Sequence, residues 1–198
     1  MKTWKQILRR ESKNVRESFG YWSELMHASV EFWQLDGGFD IHTESHCDRV
    51  LLLCLKIAEM RGLNYWETLP LCHAAIFHDT RRKDNYLDHG HGLRAAEYYC
   101  DYCAGSRLHL LPETYTAIRF HDCSDEEGLA YIQEHYSEQA DSFRQTYNIF
   151  KDADALDRFR LGPWGLDPTF LRTDEARKLL PFAWNLVEWT TEPKDMQR

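Results

Sequence analysis

The chain has 198 residues, 43% of them hydrophobic and 28% charged, which suits an ordinary globular protein able to bury a sizeable core as a single domain. A net charge of −8, with ten histidines counted neutral, argues against a general nucleic-acid surface or an anionic-membrane surface, since both need clustered Lys and Arg. It leaves room for an anionic substrate drawn in by a metal and a few local arginines.

Helical periodicity dominates the chain, and no stretch alternates with period two over several strands, so the expected class is all-α. Residues 3–19 read as a polar, amphipathic lead helix punctuated by Gly20. Residues 21–34 follow, with Trp22, Leu25, Met26, Val30 and Trp33 at helical spacing. Asp36-Gly37-Gly38 reads as a loop, and a long helix is expected from Thr43 to Met60, stopped by Gly62. The next helix, Trp66 to His78, is apolar nearly all round, which predicts a central position. Pro70 is expected near its start. Thr80–Asp88 is a charged loop. Helices are predicted from His91 to Tyr102 and from Pro112 to His121, with an acidic loop over Asp122–Gly128. Residues 129–147 form a polar helix, Asn148–Leu161 a stronger one, and Gly162–Gly165 a break. A last helix covers Thr173–Trp189, interrupted near Pro181.

The longest apolar run, about Val50–Leu55, is far below the roughly 20 residues that span a bilayer, so no membrane association is expected. The N-terminal stretch lacks a long apolar core and a small-residue cleavage site, so it is not read as a signal peptide, and the cytoplasm is the expected location. Six cysteines fit that reading. Cys47, Cys54 and Cys72 sit in apolar helical patterns, and the single Cys100/Cys103 pair lacks the second pair that a closed zinc site needs.

Chemistry concentrates on His and Asp. His46 lies one turn into the long helix, His78-Asp79 ends the most apolar helix, and Asp154 lies on a late helix with Asp152 and Asp157 among apolar neighbours. Burying such groups unpaired costs several kcal/mol, roughly. A divalent cation offsets several of them at once. The ligand types suit Fe, Mn, Co, Ni or Zn rather than a thiolate site. Adjacent His and Asp point about 100° apart on a helix, so the other ligands must arrive from neighbouring helices.

His46 in His46-Cys-Asp-Arg-Val50, His78-Asp79 after Ala74-Ala-Ile-Phe, and Asp154 in Lys151-Asp-Ala-Asp-Ala-Leu-Asp-Arg158 form an ordered set. The set resembles the HD superfamily of metal-dependent phosphohydrolases over residues 40–165, and in particular a subgroup of small, largely uncharacterised HD proteins. The resemblance implies a helical bundle with a metal site at its centre. The N-terminal helices, 1–35, and the C-terminal helix, 173–191, would pack on that core. His46, His78, Asp79 and Asp154 would hold a first divalent metal. His91 in His91-Gly-Leu-Arg-Ala-Ala-Glu97 and His121 after Ala117-Ile-Arg-Phe resemble the added ligands of a second metal, with Asp79 as the bridge. His89 and His42 compete with His91 and His46, and the flanking residues favour the latter pair. His73 reads as a core histidine, and His109 and His135 as loop or surface residues.

The implied activity is hydrolysis of a nucleotide or other phosphate ester by water activated on one or two divalent ions (Fe, Mn, Co, Ni, Zn or Mg). Asp79 would be central to that reaction. Arg81 or Arg82, directly after it, would bind phosphate, because guanidinium matches phosphate oxygens in a forked geometry. Arg94 and Arg158 are weaker candidates of the same kind, and Asp152 and Asp157 are expected to support the ligands. Two alternatives come with the resemblance: a ligand-binding regulatory module without turnover, and a di-iron oxygenase using the same ligands. No Gly-x-Ser-x-Gly elbow or P-loop is present, which argues against serine catalysis and nucleoside-triphosphate motors.

Overall fold

The computed structural model describes residues 1–33, 44–85 and 88–191. The expected Asp36-Gly37-Gly38 loop, His42 and the Thr43 helix start lie outside the described residues. Among the described residues the chain forms ten α-helices and three short 3-10 turns, with no strand.

The N-terminal region divides earlier than its periodicity suggests. Helix α1 spans Trp4–Leu8, and α2 runs Lys13–Ser29 straight through Gly20. The break sits before Ser12 because its hydroxyl accepts from the Val15 N–H at 3.2 Å, satisfying a donor that a helix start leaves bare. Gly20 lies on an open face where an added Cβ would meet nothing, so the helix continues past it.

Helix α3, Glu44–Met60, is buried over most of its length. It ends at Gly62, whose φ of +69° lets the Leu63 N–H reach back to the Ala58 carbonyl at 3.0 Å. Asn64 then opens α4, Tyr65–Phe77, with a reciprocal Asn64–Glu67 capping box. Pro70 lies deeper in α4 than its first turn. From Leu71 to Phe77 every residue of α4 is buried, as its all-round apolarity requires.

Helix α5 covers His91–Gly105 and α6 covers Pro112–Phe120. They can approach closely only because Gly92 has no side chain: a Cβ there would lie 2.6 Å from an Asp122 carboxylate oxygen and 2.7 Å from the Ile118 carbonyl. Of the acidic stretch expected as a loop, Asp122–Ser124 stays outside any helix, and Asp125–Gly128 is the first turn of α7, Asp125–His135. Ser124 caps it, and three acidic residues face the positive end of the helix dipole. A turn over Ser137–Gln139 separates α7 from α8, Ala140–Leu156, which therefore begins earlier than the predicted Asn148. The last turns, Asp157–Leu161, tighten to 3-10 geometry. Helices α9, Asp174–Lys178, and α10, Leu180–Thr190, close the described chain, and Pro181 sits in the first turn of α10.

One main core joins apolar side chains from α1 through α6 with those of α8, α9 and α10. A smaller cluster of Ile132, Ala140, Phe143 and Tyr147 fastens α7 to α8. Helices α3, α4, α6 and α8 pack on one another at the centre. The ends of α4 and α6 thus open towards the same place as the start of α3 and the end of α8. No helix of the described residues is long and apolar enough to cross a membrane.

Candidate metal centre

Six side chains, four histidines and two aspartates, meet at that place. His78 and His121 are the C-caps of α4 and α6. The last carbonyls of a helix have no partner within it. His78 Nδ1 meets the Ala75 carbonyl at 3.0 Å, and His121 Nδ1 meets the Ile118 carbonyl at 2.7 Å. His91, the first residue of α5, does the same with the Asp88 carbonyl at 2.7 Å. His46 Nδ1 faces an Asp157 carboxylate oxygen at 2.7 Å. All four partners accept, so each Nδ1 is placed to donate and each ring directs its Nε2 lone pair inward.

Those lone pairs converge. His46 Nε2 and His78 Nε2 are 3.1 Å apart. His91 Nε2 and His121 Nε2 are 2.8 Å apart. With every Nδ1–H committed, such pairs repel unless a positive charge lies between them, either a proton or a metal ion. Carboxylates complete both places. Asp79 Oδ2 lies 3.5 Å from His46 Nε2 and 3.9 Å from His78 Nε2. Asp79 Oδ1 lies 3.2 Å from His91 Nε2 and 3.5 Å from His121 Nε2. Asp154 Oδ1 is 3.2 Å from His46 Nε2 and 3.8 Å from His78 Nε2.

Donors about 2.0–2.2 Å from a shared ion lie about 2.8–3.1 Å apart at a right angle and about 3.3–3.6 Å apart at the tetrahedral angle. The separations here run from the right-angle value, 2.8 Å between His91 and His121, to slightly beyond the tetrahedral one, 3.9 Å between Asp79 and His78. Two groups of buried residues can therefore hold a metal ion, His46 with His78 and Asp79, and Asp79 with His91 and His121. Their neutral imidazole and carboxylate donors fit a divalent ion of the borderline class.

The electrostatics agree. Burial holds the His78 ring down to about 3, so it stays neutral. Burial would lower His121 too, but the Asp79 carboxylate outweighs it and raises the ring above its ordinary 6.5. Burial would raise the Asp154 carboxyl, yet His46, His78 and His121 together hold it far below its usual range. The Asp154 side chain is 27% exposed while those of His46 and His78 are fully buried, so the first group opens to solvent on the α8 side.

That opening is a cleft of about 580 Å³ lined by Asp79, Arg82, His91, His121, Asp154 and Arg158, among others. Of the two arginines after the His-Asp pair, Arg82 enters it and Arg81 does not line it. Arg81 stacks on the Tyr98 ring at 3.3 Å and donates to the Thr80 and Glu31 carbonyls, which fixes it outside the cleft. Arg94 is paired with Asp88 at 2.5 Å. His89 lines the cleft but belongs to neither ligand group.

Asp152 and Asp157, alike on paper, part ways. Asp157 accepts from His46 and from Arg49 Nε at 2.6 Å and Nη2 at 3.0 Å, and these two outweigh burial to hold its carboxyl at about 2. Asp152 instead accepts from Arg172 and from the Thr173 backbone and hydroxyl, tying α8 to the segment before α9. His73 is buried, with Nδ1 2.8 Å from the Tyr99 hydroxyl and Nε2 without a hydrogen-bond partner among the described residues. Cys100 and Cys103 are free thiols outside both ligand groups.

Two further residues lie at the centre. Arg160 lines the cleft, and nothing in its local sequence marks it. Asp122 accepts from the Gly90 N–H at 2.8 Å and lies 3.4 Å from His91 Nδ1; its place directly after His121 was the available signal. Comparison of the chain with family models, with curated proteins and with solved structures returns no match in any of the three.

Proposed function

We propose that the chain is a metal-dependent phosphohydrolase of HD-domain type, cleaving a nucleotide or another phosphate ester. The observation that carries this reading is the division of Asp79, whose two oxygens face two separate histidine pairs. A carboxylate shared in this way is how a two-ion centre is bridged. A divalent ion held there supplies Lewis acidity and lowers the pKa of water toward neutrality when bound.

The chain's own residues would do the rest. Arg82, Arg158 and Arg160 line one cleft and present guanidinium groups to the oxygens of a phosphoryl group. The whole chain carries a net charge of −8 and Asp79, Asp88, Asp122 and Asp154 line the same cleft, so the attraction for an anion rests on these three arginines and on ions held there. The buried His46 and His78 rings and the apolar end of α4 close the inner side of the site, which strengthens each charge interaction at the cleft floor.

The test is anaerobic assay of the protein loaded in turn with Mn, Fe, Co, Ni, Zn and Mg against nucleoside phosphates and simple phosphate esters. Phosphate release that disappears in Asp79→Ala is the expected result. Stoichiometric metal with ligand binding but no release under any metal would favour a regulatory module instead. Substrate loss that requires iron and dioxygen would favour an oxygenase.

A further inference from the structure

The geometry points to Lys151 as a positioning residue: with Tyr147 it holds the turn that carries His121 onto α8, and so sets the second metal position relative to the first. The inference rests on the reading of the site as a two-metal centre.

Lys151 is a cation on the inner face of α8, with 9% of its surface exposed. Lysine is seldom buried so deeply unless its charge and its donors are matched. Here each of the three ammonium donors has an acceptor. Nζ lies 2.8 Å from the Cys123 carbonyl, 3.1 Å from the Tyr147 hydroxyl and 2.9 Å from an Asp125 carboxylate oxygen. The Tyr147 hydroxyl in turn donates to the Phe120 carbonyl at 3.3 Å, with the Ser124 carbonyl 3.5 Å away. Gly128 of α7 leaves room for that hydroxyl, which an added Cβ would overlap.

These acceptors share a place in the chain. Phe120, Cys123 and Ser124 bracket His121-Asp122, the turn between α6 and α7. Lys151 itself lies one turn before Asp154 on the same helix. The Lys151–Tyr147 pair therefore joins the backbone on either side of a second-group ligand to the helix that supplies Asp154 beside the first group. Apolar packing brings α6 and α8 together, and these directional bonds fix where the turn sits along α8. The His121 ring is already oriented by the Ile118 carbonyl, so the pair acts on its position and not on its tautomer. Metal–ligand distances tolerate only about 0.2 Å, so a small slide of this turn is felt at the second ion.

The test is titration of metal-free Lys151→Met, Arg172→Met and wild type with Mn(II), followed by calorimetry and by the electron-paramagnetic signature of coupled ions. Arg172 is the control: it pairs with the same Asp125 carboxylate, at 2.6 Å, but its other partner is Asp152 and not the His121 turn. Both variants should lose some stability. Only Lys151→Met should weaken the second ion, by about tenfold, the lower end of what a partner behind a ligand contributes. The first ion should be unchanged in both. Tyr147→Phe keeps the ring and removes the hydroxyl; it should shift the second ion in the same direction, and it decides the matter if Lys151→Met loses helical structure. An unchanged second ion in the folded variant would overturn the inference. Equal weakening in Lys151→Met and Arg172→Met would overturn it too, since the pair would then act only through general stability. Either result leaves the two-metal reading intact. A wild type that binds fewer than two ions would overturn both.

Discussion

The Asp157 carboxylate lies between two α3 side chains: one of its oxygens accepts from His46 Nδ1 at 2.7 Å, and Arg49 donates to both oxygens in a forked pair. The arrangement fixes which nitrogen of His46 faces the centre. It also sets a carboxylate with no exposed surface beside a compensating charge, without which burying it would be strongly unfavourable.

Asp157→Asn should therefore weaken the first ion while preserving the fold. An amide offers both donor and acceptor, so the His46 ring is free to take the tautomer that turns an N–H inward. We expect about 10–100-fold lower affinity for the first ion. Calorimetric titration alongside circular dichroism checks it; unchanged affinity would show that Asp157 does not orient the ring.

The ligands should separate by ion. In phosphate-containing buffer, His91→Ala and His121→Ala should each leave one bound ion. Asp79→Ala, which removes the shared carboxylate, should lose both. Elemental analysis after gel filtration reads this directly. Two ions retained in His91→Ala would assign the second position to other residues.

Acid should empty the two positions in order. A proton on His121 competes with an ion for the same Nε2, and this ring's pKa is raised above 6.5 by Asp79. The second ion should therefore begin to leave as pH falls towards and below 6.5. His78 is held down to about 3 by burial, so protons do not compete for it until far lower pH. Dialysis at a series of pH values, followed by metal analysis, should show a one-ion plateau. Simultaneous release of both ions would contradict it.

Gly92→Ala should separate His91 from His121. The added Cβ would meet the Asp122 carboxylate and two carbonyls of α6, at 2.6, 2.7 and 2.9 Å, and carbonyl backbone cannot swing aside as a flexible side chain can. We expect a loss of about 1–3 kcal/mol in stability. We also expect weaker binding of the second ion, read by denaturant unfolding and metal titration. A variant with wild-type stability and occupancy would show that α5 and α6 can move apart freely.

Much of this centre is legible in the chain. His78-Asp79 stands out because an all-apolar helix ends there, and the structure buries both. His91 is separable from His89 by its flanking residues, and only His91 joins a ligand group. Other features depend on contacts that no local pattern records. Arg81 and Arg82 are neighbours of equal chemistry, and the Tyr98 ring and the Glu31 and Thr80 carbonyls hold Arg81 outside the cleft. The Arg49–Asp157 pair spans 108 residues, a separation that periodicity cannot bridge. The α7 start is hidden because Asp125, Glu126 and Glu127 have the composition of a loop, whereas Ser124 makes them a helix's first turn.

Of the four acceptors that orient the inward-facing rings, three are backbone carbonyls, those of Ala75, Asp88 and Ile118. A carbonyl is present whatever side chain the codon specifies. Substitution at those three positions can change packing but cannot delete the acceptor. The orientation of His78, His91 and His121 is thus insulated from point mutation, and the vulnerability of the supporting layer falls on Asp157 and Arg49. Saturation mutagenesis of the centre would accordingly find a short list of intolerant positions: the ligands, this one pair, and few others.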